Sequence, residues 1–157
     1  MTTLHFSRDL TSPEDTADLA RKIGAVLKAG DVITLEGPIG AGKTHFARSL
    51  IQSLLIMPED VPSPTFTLVQ VYDGQDCEIW HADLYRLNAP DEVVELGLTD
   101  AFEDAICLVE WPDRLADLSP QNALALSLSL QEAENARAAT FTATDERWAD
   151  LFESLAT

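Results

Sequence analysis

Residues 37–44 read GPIGAGKT and constrain the fold of this chain more than any other stretch. They fit the pattern G-x-x-x-x-G-K-[S/T], in which glycines let the backbone close around an anion and consecutive N–H groups point at it. A strand-like run, 32–36, precedes the loop, and a helix-like run, 44–55, follows it. We therefore predict a phosphate-binding loop at a strand-to-helix junction. The alternative, a tight turn without a ligand, requires the whole pattern to arise there by chance.

Each residue type in this loop has a predicted part in holding a nucleotide. The helix that follows adds the positive end of its dipole. Lys43 would place its charge between the β- and γ-phosphates, and the Thr44 hydroxyl would ligate Mg²⁺. His45 is included with this segment, although its side chain is expected to be exposed and is given no role of its own. The predicted nucleotide-binding residues here are Gly37, Gly40, Ala41, Gly42, Lys43, Thr44 and His45.

The composition limits the class of protein. A chain of 157 residues is predicted to form one domain, 1–157, that buries its own core. The formal net charge is −17, from 27 acidic and 10 basic residues. Nucleic-acid binding depends on clustered Lys and Arg, and the basic residues of this chain are scattered. We therefore expect that the chain does not bind RNA or DNA on its own. The acidity indicates either solubility, or adaptation of the host, or a partner with a basic face.

Cysteine usage and hydropathy indicate the compartment. Cys77 and Cys107 stand far apart with no second ligand at metal spacing, which disfavours zinc and suits a reducing environment. The first residues carry no signal-peptide pattern, and no apolar run is long enough to span a bilayer. We expect a cytoplasmic protein with no membrane partner.

The order of predicted elements indicates the fold. A first helix begins at Ser12-Pro13 and is predicted to end at Gly30, and the last third reads as a hairpin followed by a helix through Trp148. This order predicts an α/β, three-layer P-loop NTPase fold, with a mainly parallel sheet and a C-terminal antiparallel hairpin. The other predicted elements are strands 66–72, 78–84, 106–109, 124–130 and 136–144, and helices 89–96 and 99–105.

Acidic residues at two predicted strand ends could complete a nucleotide site. Glu110 ends the apolar strand, where the second acid of such a fold holds Mg²⁺ directly or through water; the alternative is a solvated carboxylate. In HADLYR, 81–86, the residues His81, Asp83 and Tyr85 share one face. Asp83 could orient the attacking water or a water on the metal. His81 could take part, or be only a packed core histidine.

The residue chemistry alone leaves the roles of two further segments undecided. The loop SPTF, 63–66, offers the hydroxyls of Ser63 and Thr65, which could sense a γ-phosphate as switch loops do. A plain connector into the next strand is the simpler interpretation. Trp111 follows Glu110 and could stack on a nucleotide, contact a partner or pack in the core.

Four segments in this order, GPIGAGKT, SPTFTLV, HADLYR and ICLVEWPDRL, resemble the TsaE family, the small bacterial ATPases of tRNA threonylcarbamoyladenosine biosynthesis. The resemblance is close over about residues 12–115. It implies ATP and Mg²⁺ as cofactors. It also implies TsaB and TsaD, which transfer threonylcarbamoyl to adenosine of tRNA, as partners, so that tRNA is met only indirectly.

The resemblance also implies roles for individual positions. Lys43, Asp83 and Glu110 correspond to the catalytic set, and Thr44 and Glu110 to the metal-associated pair. Arg137 resembles the family's C-terminal arginine on the nucleotide side, and an N-terminal nucleotide contact is implied near 11–16. Ser63, Thr65 and Trp111 correspond to the switch or partner segments.

Three functions are compatible with these residues. The first is an ATPase acting on a partner complex, slow alone because no arginine is obviously placed as a finger, and stimulated by its partners. The second is a small-molecule kinase, which needs a lid and clustered arginines, whereas the basic residues after Lys43 are scattered. The third is a nucleotide-sensing module without useful turnover. The chain has no Asn/Thr-Lys-x-Asp element, which disfavours GTP.

Overall fold

The computed structural model describes residues 3–38, 40–64, 67–133 and 135–156. Short helical turns occupy Pro112–Leu118 and Glu146–Trp148. The strands are β1 (Leu4–Leu10), β2 (Val32–Glu36), β3 (Val69–Asp73), β4 (Glu78–Asp83), β5 (Ile106–Glu110), β6 (Leu124–Leu130) and β7 (Arg137–Ala143). The helices are α1 (Pro13–Gly24), α2 (Lys43–Leu54), α3 (Asp91–Glu95), α4 (Leu98–Asp104) and α5 (Ala149–Ala156).

The strands form one sheet in the order β1-β7-β6-β2-β5-β4-β3. The four middle strands, β6, β2, β5 and β4, run parallel to one another, and antiparallel pairs close both sides of the sheet. The hairpin β6–β7 lies where the sequence predicts it. The predicted fold class is therefore confirmed.

Helices cover both faces of the sheet, because β2 and β5 are apolar on both sides. Along β2, Val32 packs in one hydrophobic cluster and Ile33 in the other. The first cluster joins α1, α2 and α5 to the sheet, and the second joins α3, α4 and the Pro112–Leu118 turn. This is the three-layer arrangement expected of a sheet buried on both faces. None of the helices within the described ranges is both long enough and apolar enough to cross a membrane.

The first helix ends earlier than the sequence predicts. Ser12 caps it as expected, accepting a hydrogen bond from Asp15 N at 3.2 Å, but α1 ends at Gly24. A Cβ at Gly24 would lie 3.2 Å from Ser53 Oγ, so a glycine lets α1 approach α2 closely there. The prediction that Gly30 ends the helix was wrong. Gly30 has a φ of +93° and forms the turn into β2.

The N-terminal strand β1 was not predicted. Leu4, Phe6, Arg8 and Leu10 lie on the more buried face of β1, while the residues that alternate with them are exposed, as in a half-buried strand. β1 pairs antiparallel with β7, with Leu10 opposite Arg137. The N-terminal segment thereby extends the sheet beyond the C-terminal hairpin.

Candidate functional site

The glycine loop lies between β2 and α2, as the sequence predicts; Ile39 within it is outside the described residues. Gly37 has a φ of +147°, and a Cβ there would collide with the carbonyl oxygen of Leu128. Gly42 caps α2 with a φ of +100°. Since a glycine cap offers no side chain to the first N–H groups of α2, those groups can bind an anion.

A cavity of about 480 Å³ opens beside this loop. Its volume is within the usual range for small-molecule sites. Most predicted site residues line it: Gly40, Gly42, Lys43, Thr44, His45, Ser63, Asp83, Glu110 and Trp111. Tyr85 and Arg86 line it as well, although the sequence analysis gave neither a role. The alternation in HADLYR predicted that Tyr85 shares a strand face with Asp83, but β4 ends at Asp83 and Tyr85 lies in the turn that follows.

Lys43 is buried at the floor of this cavity. Its ammonium donates a hydrogen bond to the carbonyl oxygen of Gly37 and lies 3.8 Å from the ring centroid of Trp111. Such a cation–π contact offsets part of the cost of removing a charge from water. Burial lowers the pKa of Lys43, and the nearby carboxylates of Glu110 and Asp83 oppose that shift.

Glu110 is held at the end of β5 by two donors from different elements. The Thr44 hydroxyl at the start of α2 lies 3.1 Å from each carboxylate oxygen of Glu110. From β4, His81 Nε2 lies 2.7 Å from Glu110 Oε2. Both His81 and Glu110 are buried, so these contacts form away from water.

The Thr44 and Glu110 oxygens fit a magnesium site of the kind that a bound nucleotide completes. Mg²⁺ prefers oxygen ligands and keeps several waters, so one or two protein oxygens suffice when phosphates supply others. Among the described residues, no group of three or more His, Cys, Asp and Glu side chains is arranged to hold an ion. The protein oxygens at this site are therefore too few to form a complete cage.

Asp83 lies beside Glu110, because β4 and β5 are parallel and Asp83 is directly opposite Glu110 in the register. Its Oδ1 accepts a hydrogen bond from Tyr85 N at 3.1 Å. Burial raises the pKa of Asp83, and the Glu110 carboxylate raises it further, while the Tyr85 hydrogen bond lowers it. A carboxyl with a raised pKa at the edge of a cavity is suited to proton transfer.

Arg137 reaches the glycine loop from β7. Its Nε lies 3.2 Å from the carbonyl oxygen of Ala41, and its Nη2 lies 3.1 Å from that of Gly40. A second cavity, of about 250 Å³, adjoins it. Two of its lining residues, Pro13 and Thr16, lie in the stretch 11–16 that the resemblance singled out. The others are Ala41, Gly42, His45, Asn135 and Arg137.

The expectation that His45 is exposed was wrong. Its side chain is half-buried, and Nε2 lies 2.9 Å from the carbonyl oxygen of Pro13. The reason is that α1 begins beside the first turn of α2, a contact between elements that the helical pattern of α2 alone does not indicate. His45 therefore lies between the two cavities.

The switch and partner candidates are only partly within the described residues. Ser63 is exposed at the cavity wall, whereas Thr65 and Phe66 lie outside the described residues. Trp111 has a φ of +60° and packs against Tyr85, with ring centroids 4.9 Å apart. Trp111 is half-buried: it packs against the second hydrophobic cluster and also lines the cavity, so core packing and a role at the site both stay open.

A glycine loop between β2 and α2, with a Lys-Thr pair and an acid on the neighbouring parallel strand β5, defines the P-loop NTPase class. The sequence matches, over residues 10–139, the family described as threonylcarbamoyl adenosine biosynthesis protein TsaE. The chain belongs to the TsaE family, whose members take part in tRNA threonylcarbamoyladenosine biosynthesis.

Individual relatives agree with the family match. The TsaE protein of Bacillus subtilis is 38% identical over 145 residues, covering 92% of this chain and 89% of that protein. That of Rickettsia bellii is 36% identical over 130 residues, covering 83% and 90%. The crystal structure of YdiB from Bacillus subtilis superposes with a TM-score of 0.78 at 31% identity, covering 99% of this chain and 97% of YdiB.

Proposed function

We propose that this protein is a Mg²⁺-dependent ATPase that supports threonylcarbamoyladenosine modification of tRNA by acting on the TsaB and TsaD partners. One observation carries the proposal. Lys43 and Thr44 of α2, Asp83 of β4 and Glu110 of β5 converge on a single cavity of about 480 Å³. Family membership supports the place in tRNA modification.

The loop residues would bind the phosphates of ATP. Backbone N–H groups around Gly40 and Gly42 would surround them, and Lys43 would leave Gly37 and Trp111 to reach the β- and γ-phosphates. Thr44 and Glu110 would hold Mg²⁺, which when bound neutralises charge on the phosphates.

Asp83 is the proposed water-orienting acid. Its carboxylate would accept a hydrogen bond from the attacking water and take its proton as the new P–O bond forms and the bond to the ADP oxygen breaks. The raised pKa of Asp83 supports this, because a more basic carboxylate is a better proton acceptor. Arg86 also lines the cavity, so an arginine is nearer the proposed reaction than its sequence position indicates.

The cavity beside Arg137 is proposed to receive the nucleoside part of ATP. It adjoins the phosphate loop through Ala41 and Gly42, and it includes residues of the N-terminal stretch and His45. Arg137 would act there both by contact with the nucleotide and through its hydrogen bonds to the loop carbonyls.

Charge and topology support two further parts of the proposal. The net charge of −17 suits a protein that meets tRNA only through partners, because a polyanion is repelled by an acidic surface. We also treat 1–157 as one ATPase domain acting in the cytoplasm. The single sheet joining the N-terminal strand β1 to β7 supports the one-domain description.

Calorimetric titration with ATP, ADP and GTP, with and without Mg²⁺, tests the nucleotide part of the proposal. We expect ATP to bind more tightly than GTP. We expect Lys43→Ala to weaken ATP binding by about 10- to 100-fold, the value of a hydrogen bond to a charged group. The matched control is Lys22→Ala, which removes an exposed lysine of α1. Tighter GTP binding, or an unchanged Lys43→Ala, would contradict the proposal.

Turnover is tested separately from binding. Asp83→Ala and Glu110→Ala should bind ATP yet fail to support tRNA modification. If both variants keep full modification, the protein is a nucleotide sensor without useful turnover. If mass spectrometry finds a phosphorylated metabolite in place of free phosphate, the kinase alternative is correct.

A further inference from the structure

His81 has an unusual environment for a core histidine. Its side chain is completely buried on β4, and its polar contact through Nε2 is with Glu110. Nδ1 is buried without a hydrogen-bond partner among the described residues. Buried polar atoms are normally paired, so a histidine selected only for packing would be a costly choice here.

The contact with Glu110 depends on the register of two parallel strands. His81 lies opposite Leu108, two residues before Glu110, so its ring extends along β5 to reach the carboxylate. An ionised carboxylate only accepts, so Nε2–H is the donor, and in the neutral ring the lone pair of Nδ1 is then left unpaired. Leaving a lone pair unpaired costs less than leaving an N–H unpaired, and the N–H of Nε2 is the group that donates to Glu110.

Two donors together determine the orientation of Glu110. The Thr44 hydroxyl approaches both carboxylate oxygens, and His81 Nε2 approaches Oε2 alone. Without His81, the hydrogen bonds to the long Glu110 side chain among the described residues would come only from Thr44. The histidine ring has two rotatable bonds and is enclosed by the core, so it is a rigid support.

We propose that His81 is a positioning residue that keeps the Glu110 carboxylate directed at Thr44, the residue with which it would hold the metal. The metal part of this inference rests on the proposed function. In the proposed function His81 contacts neither the nucleotide nor the metal, and its side chain acts only through Glu110. Partners that orient a metal ligand in this way commonly change metal affinity by about 10- to 100-fold when removed.

Two substitutions separate positioning from packing. His81→Gln keeps an N–H donor at a reach close to that of Nε2, and His81→Met keeps side-chain bulk without a donor. Binding of Mn²⁺ to the protein with a non-hydrolysable ATP analogue is measured by electron paramagnetic resonance. Affinity for the analogue alone is measured in EDTA.

We expect His81→Met to weaken Mn²⁺ binding by at least about tenfold. We expect His81→Gln to stay within about threefold of the unsubstituted protein, and metal-free affinity for the analogue to be unchanged in both. Unchanged Mn²⁺ binding in His81→Met overturns the inference. So does an equal loss in His81→Gln, or a parallel loss of metal-free affinity, because either would indicate a packing role. If His81→Met does not fold, His81→Asn, whose amide is too short to reach Glu110, replaces it.

A crystal structure of the donor-free variant without metal provides a readout that does not depend on the proposed function. We expect the Glu110 carboxylate to turn away from the Thr44 hydroxyl. A retained contact of about 3 Å would overturn the inference. If the unsubstituted protein binds no Mn²⁺ with nucleotide, the proposed function fails. The position of Glu110 in the crystal structure of the variant still decides the role of His81.

Discussion

At the scale of residues, Lys43 connects the glycine loop to the aromatic wall of the cavity. Its ammonium contacts the Gly37 carbonyl and the face of Trp111, and Trp111 in turn packs on Tyr85. A bound phosphate would compete for the same ammonium. The environment of the indole is therefore coupled to nucleotide binding.

Tryptophan fluorescence should report that competition. We expect the emission to change when ATP binds, because Lys43 leaves the indole, and we expect Trp111→Phe to lose the change. Trp80→Phe is the control, since Trp80 packs in the hydrophobic cluster that joins α3 and α4 to the sheet. A change that persists in Trp111→Phe and disappears in Trp80→Phe would contradict this account.

Asp83 should limit stability while it supports turnover. Because the pKa of Asp83 is raised above the ordinary 3.8, the folded state holds the Asp83 proton more tightly than the unfolded state does. The free energy of unfolding therefore falls as the pH rises from the ordinary pKa through the raised one. Asp83→Asn should therefore raise the free energy of unfolding at pH 7, with the gain narrowing toward pH 4. It should also lower ATP turnover by about 10²- to 10⁴-fold.

Urea unfolding at several pH values checks the Asp83 prediction. Asp73→Asn, an exposed acid on β3, is the matched control and should show no comparable gain. A gain that does not depend on pH, or a destabilised Asp83→Asn, would show that the charge is not the cause.

At the scale of elements, an ion pair ties the C-terminal segment to the start of β2. Arg147, in the turn before α5, donates Nε to Asp31 Oδ1 at 3.0 Å and Nη2 to Asp31 Oδ2 at 2.5 Å. Nη2 also lies 2.7 Å from the carbonyl oxygen of Val26. Asp31 is buried, so loss of the arginine would leave a desolvated carboxylate without its charged partner.

Arg147→Ala should be strongly destabilising. We expect a loss of about 3 kcal/mol in the free energy of unfolding, the lower end for breaking a buried pair, because Arg147 is itself partly exposed. For a domain of this size that lowers the melting temperature by about 6–12 °C. Calorimetry of Arg21→Ala, which breaks an exposed pair with Asp18, should show less than about 1 kcal/mol. Equal effects in the two variants would refute the claim.

The elements that the sequence predicted well are those with local signals. The glycine loop, the apolar strand β5 and the hairpin β6–β7 each follow from a contiguous pattern. β1 also alternates, but short alternating segments are ambiguous until a partner strand is known, and its partner β7 is more than a hundred residues away. The end of α1 was misplaced because Gly24 is required by contact with α2, not by the local chain.

In the candidate site, too, the parts with local sequence signals were predictable, and the parts that depend on distant contacts were not. Lys43 and Thr44 are adjacent in a motif, so their placement was predictable from spacing. The His81–Glu110 contact joins residues 29 apart, and the contact between Arg137 and Gly40 joins residues 97 apart. Both depend on strand register and sheet order, which one sequence does not specify.

At the scale of the whole molecule, the parallel centre of the sheet places the loop after β2 beside the ends of β4 and β5. Proposed phosphate, metal and water-orienting groups thus meet at one edge, with Ser63 and Tyr85 at the exposed wall. A partner that covers this wall would exclude water and could add charge to the site. We therefore expect hydrolysis to depend on the assembly.

The most direct test is the rate of phosphate release from Mg·ATP by the purified protein, alone and with TsaB and TsaD, with Lys43→Ala as the blank. The account predicts slow release alone, a rise of at least about tenfold with the partners, and none above background in Lys43→Ala. Equal rates with and without the partners, or release that survives Lys43→Ala, would contradict it.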